Sequence, residues 1–240
     1  MKRASWLLLL FLLLPVLSGC NSPGPPVADE PEQIALLEQR LSEEGEAYET
    51  RWQLSAASLD VIDSHPDVRT STKLRYAIQA LRHADRAVGL GKERVEGHYY
   101  RAISLGRVLE FETLPDLGRI GELERSAEAA RAIDPSYKHA GPLRFLALLY
   151  TKAPSWPIGP ELAGDEEEIE ALWEEALQLA SGWIENHLGF AEFLFKEERD
   201  AEALAHARQA RALLAKSRVD PYTHEELRRR IQELFDALQG

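Results

Sequence analysis

Apolar positions along residues 32–240 recur every three or four residues and almost never every second one. Runs such as "YAIQALRHADRAVGL", "ELERSAEAARAI" and "EALAHARQARALL" show a stripe of Ala and Leu against a face of Glu, Arg and Gln, the period of amphipathic helices and not of half-buried strands. No sustained alternation of Val, Ile and Thr is present. The chain therefore reads as all-α. A leading helix is expected over Glu46–Ile62, paired with one from about Thr72 to Leu90, where "GLG" stops it. At the far end Thr223-x-x-Glu226 has the form of a capping box ahead of Leu227, Ile231, Leu234, Phe235 and Leu238, so a terminal capping helix is expected there.

The stripes are themselves repeated. Four segments share one spacing of small or apolar residues: Ala80/Ala84/Ala87, Leu123/Ala127/Ala130, Ile169/Trp173/Ala176 and Ala203/Ala207/Ala210. That spacing is similar to the second helix of a tetratricopeptide repeat, whose small residues let it nest on the helix before it. A matching first-helix position falls at Ala102, at Ala147 and at Ala191 or Glu192, and Pro135 lies just beyond a second helix, as in that repeat. From second helix to next first helix the separations are 15, 17 and 15 residues, whereas within a pair they are 28, 29 and 19. Two pairs thus hold about nine or ten surplus residues each, and a turn between paired helices is where an array accommodates them. The fold expected is a tetratricopeptide-like helical-hairpin array over residues 32–240, with two long loops inside repeats and a C-terminal capping helix.

Those loops are "FETLPDLGRIG" (Phe111–Gly121) and "TKAPSWPIGPELAGD" (Thr151–Asp165). Proline and glycine forbid a helix through much of the second, yet Phe111, Leu114, Leu117, Ile120, Trp156, Ile158 and Leu162 are apolar choices that a wet connector does not need. Equivalent loops of an array project from one edge. Two readings stay open: the loops plug the array's own face, or they line a partly apolar ligand cleft with Trp156 on its rim.

Charge narrows the partners. With 40 Asp and Glu against 28 Lys and Arg the net charge is −12, which excludes nucleic acid as an electrostatic target. Cys20 is the single cysteine, so no internal disulfide can form. Candidate chemistry is thin. Glu202 and His206 have a chelating i, i+4 spacing without a third ligand nearby, His224 lacks the second histidine of a zinc-protease helix, and Asp165–Glu168 suits a helix N-terminus. No nucleophile–base pair, metal or cofactor site emerges, and a non-enzymatic chain is expected.

The first residues indicate a compartment. "MKR" and the short apolar run that follows have the form of a signal peptide, and Leu17-Ser18-Gly19-Cys20 resembles the lipobox of bacterial lipoproteins. That resemblance implies cleavage after Gly19, acyl chains such as palmitate on Cys20, and a membrane-bound mature chain. Residues 1–19 would be the signal and 20–31, "CNSPGPPVADEP", a lipidated Pro/Gly tether. Asn21, in place of the Asp that retains enteric lipoproteins at the inner membrane, points to the outer membrane, facing the periplasm. Without the signal the net charge is about −14, Lys2 and Arg3 being lost.

From Gly141 to Phe195 the chain is similar to the T-component family of TRAP transporters. The resemblance lies in Gly141-Pro142-x-Arg144, the "LLY" ending at Tyr150, the "APSWP" loop, Gly164-Asp165, and Asn186 ahead of an "AE" helix. It implies a periplasmic array of tetratricopeptide-like hairpins that binds a solute-binding protein as its partner, together with a hydrophobic small ligand. The residues expected at such a site are Phe111, Leu114, Leu117, Arg144, Tyr150, Trp156 and Ile158. The second expectation is an adaptor lipoprotein of an outer-membrane assembly, secretion or pilus complex.

Overall fold

The computed structural model describes residues 32–152, 165–219 and 221–239, which fall into two compact units, one within Pro23–Ile169 and one within Glu170–Gly240. Cys20, Trp156, Ile158 and Leu162 lie outside the described residues. Among those described the structure is helical throughout, with ten α-helices and no strand. None of these helices is long and apolar enough to cross a membrane.

The first unit runs α1 (Glu32–Glu44), α2 (Tyr48–Ser64), α3 (Thr70–Leu90), α4 (Val95–Phe111), α5 (Ile120–Ile133) and α6 (Tyr137–Lys152), and takes in the first turn of α7 (Glu166–Leu179). Each of α1 to α5 packs on the helix that follows it, and α4 also touches α2 and α6. Small residues permit this approach. Ala80, Ala84 and Ala87 on α3 and Ala127 and Ala130 on α5 are buried. A Cβ on Gly97 of α4 would stand 3.0 Å from the backbone nitrogen of Val88 on α3. Aromatic rings join alternate helices: Trp52 of α2 stacks on Tyr100 of α4 at 5.8 Å, and Tyr99 of α4 meets Tyr137 of α6 edge-on at 5.2 Å.

The second unit holds the rest of α7 and then α8 (Ile184–Lys196), α9 (Asp200–Leu214) and α10 (Pro221–Gln239). Trp173 of α7 is fully buried against Phe190 of α8, and Ala203, Ala207 and Ala210 face inward from α9. Asn186, also fully buried, donates through its amide to the carbonyls of Ala176 and Ala180 at 3.2 and 3.1 Å. It thus closes the C-terminus of α7, where carbonyls have no helical partner.

Several local expectations are corrected. A helix over 32–44, which the pattern reading did not identify, buries Ile34 and Leu37. The first long loop is shorter than expected, because Phe111 ends α4 while Ile120 and Gly121 open α5. What lies between is Glu112–Arg119, with a 3-10 turn at Leu117–Arg119. Ile120 is core and not loop, being buried at the start of α5. Thr223 sits inside α10, not at its cap, because Pro221 already occupies the first helical position, where its missing N–H costs nothing. Gly89 is helical, and Gly91, the actual stop, has φ −154. Its lack of a side chain serves the Tyr48 ring, which a Cβ there would meet at 2.6 Å.

Three consecutive residues of α6, Lys138, His139 and Ala140, have φ between 49 and 62. Each is costly for a residue with a Cβ, so this turn is left-handed and the right-handed helix starts at Gly141, with Pro142 in its first turn.

Candidate functional site

The first unit carries an open cavity of about 650 Å³. Its floor is Ile78 and Leu81 of α3 with Val108 of α4, and its rim is Arg82, Asp85 and Arg86 of α3 with Glu112 and Arg119 at the two ends of the connection before α5. The floor follows from the helix period. Leu81 faces the core, Val108 is buried from the α4 side, and Ile78 is left 50% exposed at the mouth. Ile78, Arg82 and Arg86 stand one turn apart on one stripe of α3. The connection is set by Asp116, whose Oδ1 accepts the Gly118 N–H at 3.0 Å and whose carbonyl accepts the Arg119 N–H at 3.0 Å. That turn delivers Arg119 to the rim.

Electrostatics distinguish the rim residues. Asp85 is committed to Arg101, which donates from Nε at 2.7 Å and also reaches Ser126 and Glu122 of α5. Arg82, Arg86 and Arg119 form no ion pair with a carboxylate among the described residues. Arg86 lies within electrostatic reach of Glu46, but both oxygens of that carboxylate are bonded to Arg51. A smaller hollow of about 290 Å³ continues along α3, lined by Glu46, Asp85, Arg86, Gly89 and Leu90.

Of the residues that sequence placed at a site, Phe111 is the last of α4, packs on the core of the first unit, and has the Lys73 ammonium 5.9 Å from its ring centre. Leu114 is 89% exposed in the connection, and Leu117 is in the 3-10 turn. Arg144 and Tyr150 are on α6 and do not line the cavity. Arg144 donates to the His139 carbonyl at 3.0 Å, spanning the left-handed turn. Tyr150 is buried and donates to Glu124 of α5 at 2.9 Å; burial, reinforced by Glu124, pushes its hydroxyl pKa up. Phe111, Leu114, Arg144 and Tyr150 are thus not among the residues that line this cavity, and Trp156 and Ile158 lie outside the described residues. The ends of the predicted loop do line a cavity, through Glu112 and Arg119, which sequence reasoning passed over. The signal available was the exposed stripe Ile78–Arg82–Arg86, apolar and then twice basic, on a helix that carries Lys73, Arg75, Arg82 and Arg86 against the single carboxylate Asp85.

The remaining candidates have structural partners. Glu202 accepts both arms of Arg199 at 2.8 and 2.7 Å. His206 turns its Nδ1 to that of His187 at 3.1 Å, while His187 Nε2 donates to the Ser181 carbonyl at 2.9 Å, leaving His206 as the donor between the rings. Burial lowers the pKa of both. Among the described residues no group of three or more His, Cys, Asp or Glu is placed to hold a metal ion. Asp165 caps α7 by accepting the Glu168 N–H at 2.8 Å. Of the run Arg228–Arg230, the first two pair with exposed Glu225, Glu226 and Glu233 on α10, but Arg230 is no mere solvated face: it clamps Glu192 of α8 at 2.8 Å.

No family model matches this chain, and no curated protein matches it.

Proposed function

We propose that the chain is a lipid-anchored, non-enzymatic binding and scaffold protein of the bacterial envelope, built as a tetratricopeptide-like array of the T-component kind. Support for the array comes from burial and neighbours. All twelve residues of the four repeated triplets are buried, and α4 touches its hairpin neighbours as well as α2 and α6, the pattern that stacked hairpins require. The observation that carries the binding reading is the open hollow of α3, α4 and the 112–119 connection, where Ile78, Leu81 and Val108 lie beside Arg82, Arg86 and Arg119.

Two measurements test this. Cells fed an alkyne analogue of palmitate should label the full-length protein and not its Cys20→Ser variant; label persisting on the variant removes the anchor. A photo-reactive residue at Leu114, exposed in the connection that supplies Glu112 and Arg119 to the cavity, should cross-link a periplasmic solute-binding protein in living cells. Cross-links to an outer-membrane assembly or pilus component would replace this partner with the adaptor's. The absence of any protein cross-link would remove the scaffold role of this face.

A further inference from the structure

We infer that the cavity of the first unit binds a single-chain amphiphile with an anionic oxygen headgroup, a carboxylate or phosphate on an aliphatic tail. The assignment rests on the binding reading above and names its ligand class.

The argument begins with the arginines. In a chain of 40 carboxylates and 28 Lys and Arg acidic partners are in excess, and Arg51 holds one while Arg94, Arg101 and Arg107 each hold two. Arg82, Arg86 and Arg119 converge on one rim and hold none among the described residues. Arg82 and Arg86 are also an i, i+4 pair of like charge, which is repulsive on a helix with nothing between them. Asp85, the obvious counter-charge, is drawn away by Arg101. Glu112 is the remaining lining carboxylate, so the rim keeps an excess of positive charge. Guanidinium groups match the two-oxygen edge of a carboxylate or phosphate.

The floor decides what the anion carries. Ile78 stands half-exposed over buried Leu81 and Val108, and along the same stripe Leu90 lines the adjoining hollow next to Arg86. A small inorganic anion would leave this apolar surface wet. An aliphatic tail laid along α3 covers it while its headgroup meets the arginines. A polyanionic chain is disfavoured by the protein's net charge of −12.

The test uses the full-length protein in zwitterionic nanodiscs, photolabelled with a dodecanoic acid bearing a diazirine in its tail and mapped by peptide mass spectrometry. Label should fall within 78–90 or 108–119. Arg82→Gln with Arg86→Gln should raise the half-saturating concentration by about tenfold or more, since two charge-assisted bonds are lost. Arg119→Gln, on a different element, should act in the same direction, and circular dichroism of each variant checks that its helix content is unchanged. Dodecyl phosphate should compete and dodecyltrimethylammonium should not. If phosphatidylglycerol in the disc competes as well as the free amphiphile, the source is a membrane headgroup; if it does not, the source is a free acid or ester, and the ligand class stands in both cases. Equal competition by the cationic amphiphile, label spread over other helices, or unchanged saturation in both arginine variants would overturn the inference. Should labelling fail while Leu114 still cross-links a protein partner, the amphiphile site falls and the scaffold survives; loss of both removes the binding reading itself.

Discussion

Replacing Gly189 by Ala sets two opposed terms against each other, and the structure says which wins. Gly189 lies in the interior of α8, where an exposed Gly→Ala change gains about 1 kcal/mol. Here the added Cβ would stand 2.2, 2.8 and 2.9 Å from three carbons of the Trp173 six-membered ring. Comfortable carbon contacts begin near 3.5 Å, so the closest ring atom must retreat by about 1.3 Å. Trp173 is 0% exposed and lies against Phe190, which leaves no open side for an indole to move into. Overpacking of this kind costs about 1–3 kcal/mol, and a displacement above an ångström belongs at the upper end. The net loss expected is about 2 kcal/mol, measured as the shift in urea midpoint at constant slope. Gly89 supplies the control, because it is also helical and a Cβ there meets nothing within 4 Å. Gly89→Ala should therefore gain roughly 0.5–1 kcal/mol. Trp173→Phe, which removes the crowded ring atoms, should cost less when combined with Gly189→Ala than alone, giving a coupling of about 1 kcal/mol or more. If Gly189→Ala stabilises as much as Gly89→Ala, the close seating of α8 on Trp173 is refuted.

Three further outcomes are expected. His83 is 4% exposed, its Nδ1 accepts from Arg51 at 3.0 Å, and burial with the adjacent guanidinium charge holds its pKa at about 4. The unfolded chain, near 6.5, takes its proton first, so stability is complete above about pH 6.5 and falls by roughly 3 kcal/mol as pH drops towards 4; His83→Gln should flatten that part of the urea-midpoint profile. Asn186→Ala should cost about 1–3 kcal/mol by orphaning the carbonyls of Ala176 and Ala180, and hydrogen exchange should report fraying at the end of α7. Tyr150→Phe should lower stability by about 1–2 kcal/mol through loss of its bond to Glu124, yet leave amphiphile labelling unchanged, since Tyr150 does not line the cavity.

The helical class and the buried phase were legible because both depend on spacing alone. Ala80, Ala84 and Ala87 are inward wherever a 3.6-residue period carries them, and no distant contact is needed to infer it. Helix ends were less legible. Thr223-x-x-Glu226 satisfied a local rule, but Pro221 satisfied an equally local one two residues earlier and the helix began there. Gly91 has the sequence setting of a left-handed cap and is instead a gap for the Tyr48 ring, a partner 43 residues away in sequence that no neighbouring residue announces. Tyr48 itself takes over a capping role from outside the helix it caps: Arg94 offers α4 no side-chain cap, and the Tyr48 hydroxyl accepts the Gly97 N–H at 3.0 Å and donates to Glu96 at 3.0 Å.

The same distinction explains the cavity. Its apolar loop residues stand out in the sequence because Phe111, Leu114 and Ile120 are wasted in a connector, but apolarity near a helix end also marks a helix that runs further than its punctuation implies. Phe111 and Ile120 were claimed by α4 and α5, and what remained of the loop contributes through its polar ends. Arginine carries no such ambiguity of burial, but its meaning depends on which carboxylates are within reach. Asp85 precedes Arg86 in sequence and reads as its neutraliser, whereas the fold assigns it to Arg101, sixteen residues on. Only when that pairing is known do Arg82, Arg86 and Arg119 become a surplus of charge around an apolar floor. The stripe Ile78–Arg82–Arg86–Leu90 is then better understood as a surface shaped for a molecule with both an acid and a tail than as the solvated back of a helix, whose usual composition, mixed in sign and poor in exposed aliphatics, α3 lacks along this one line.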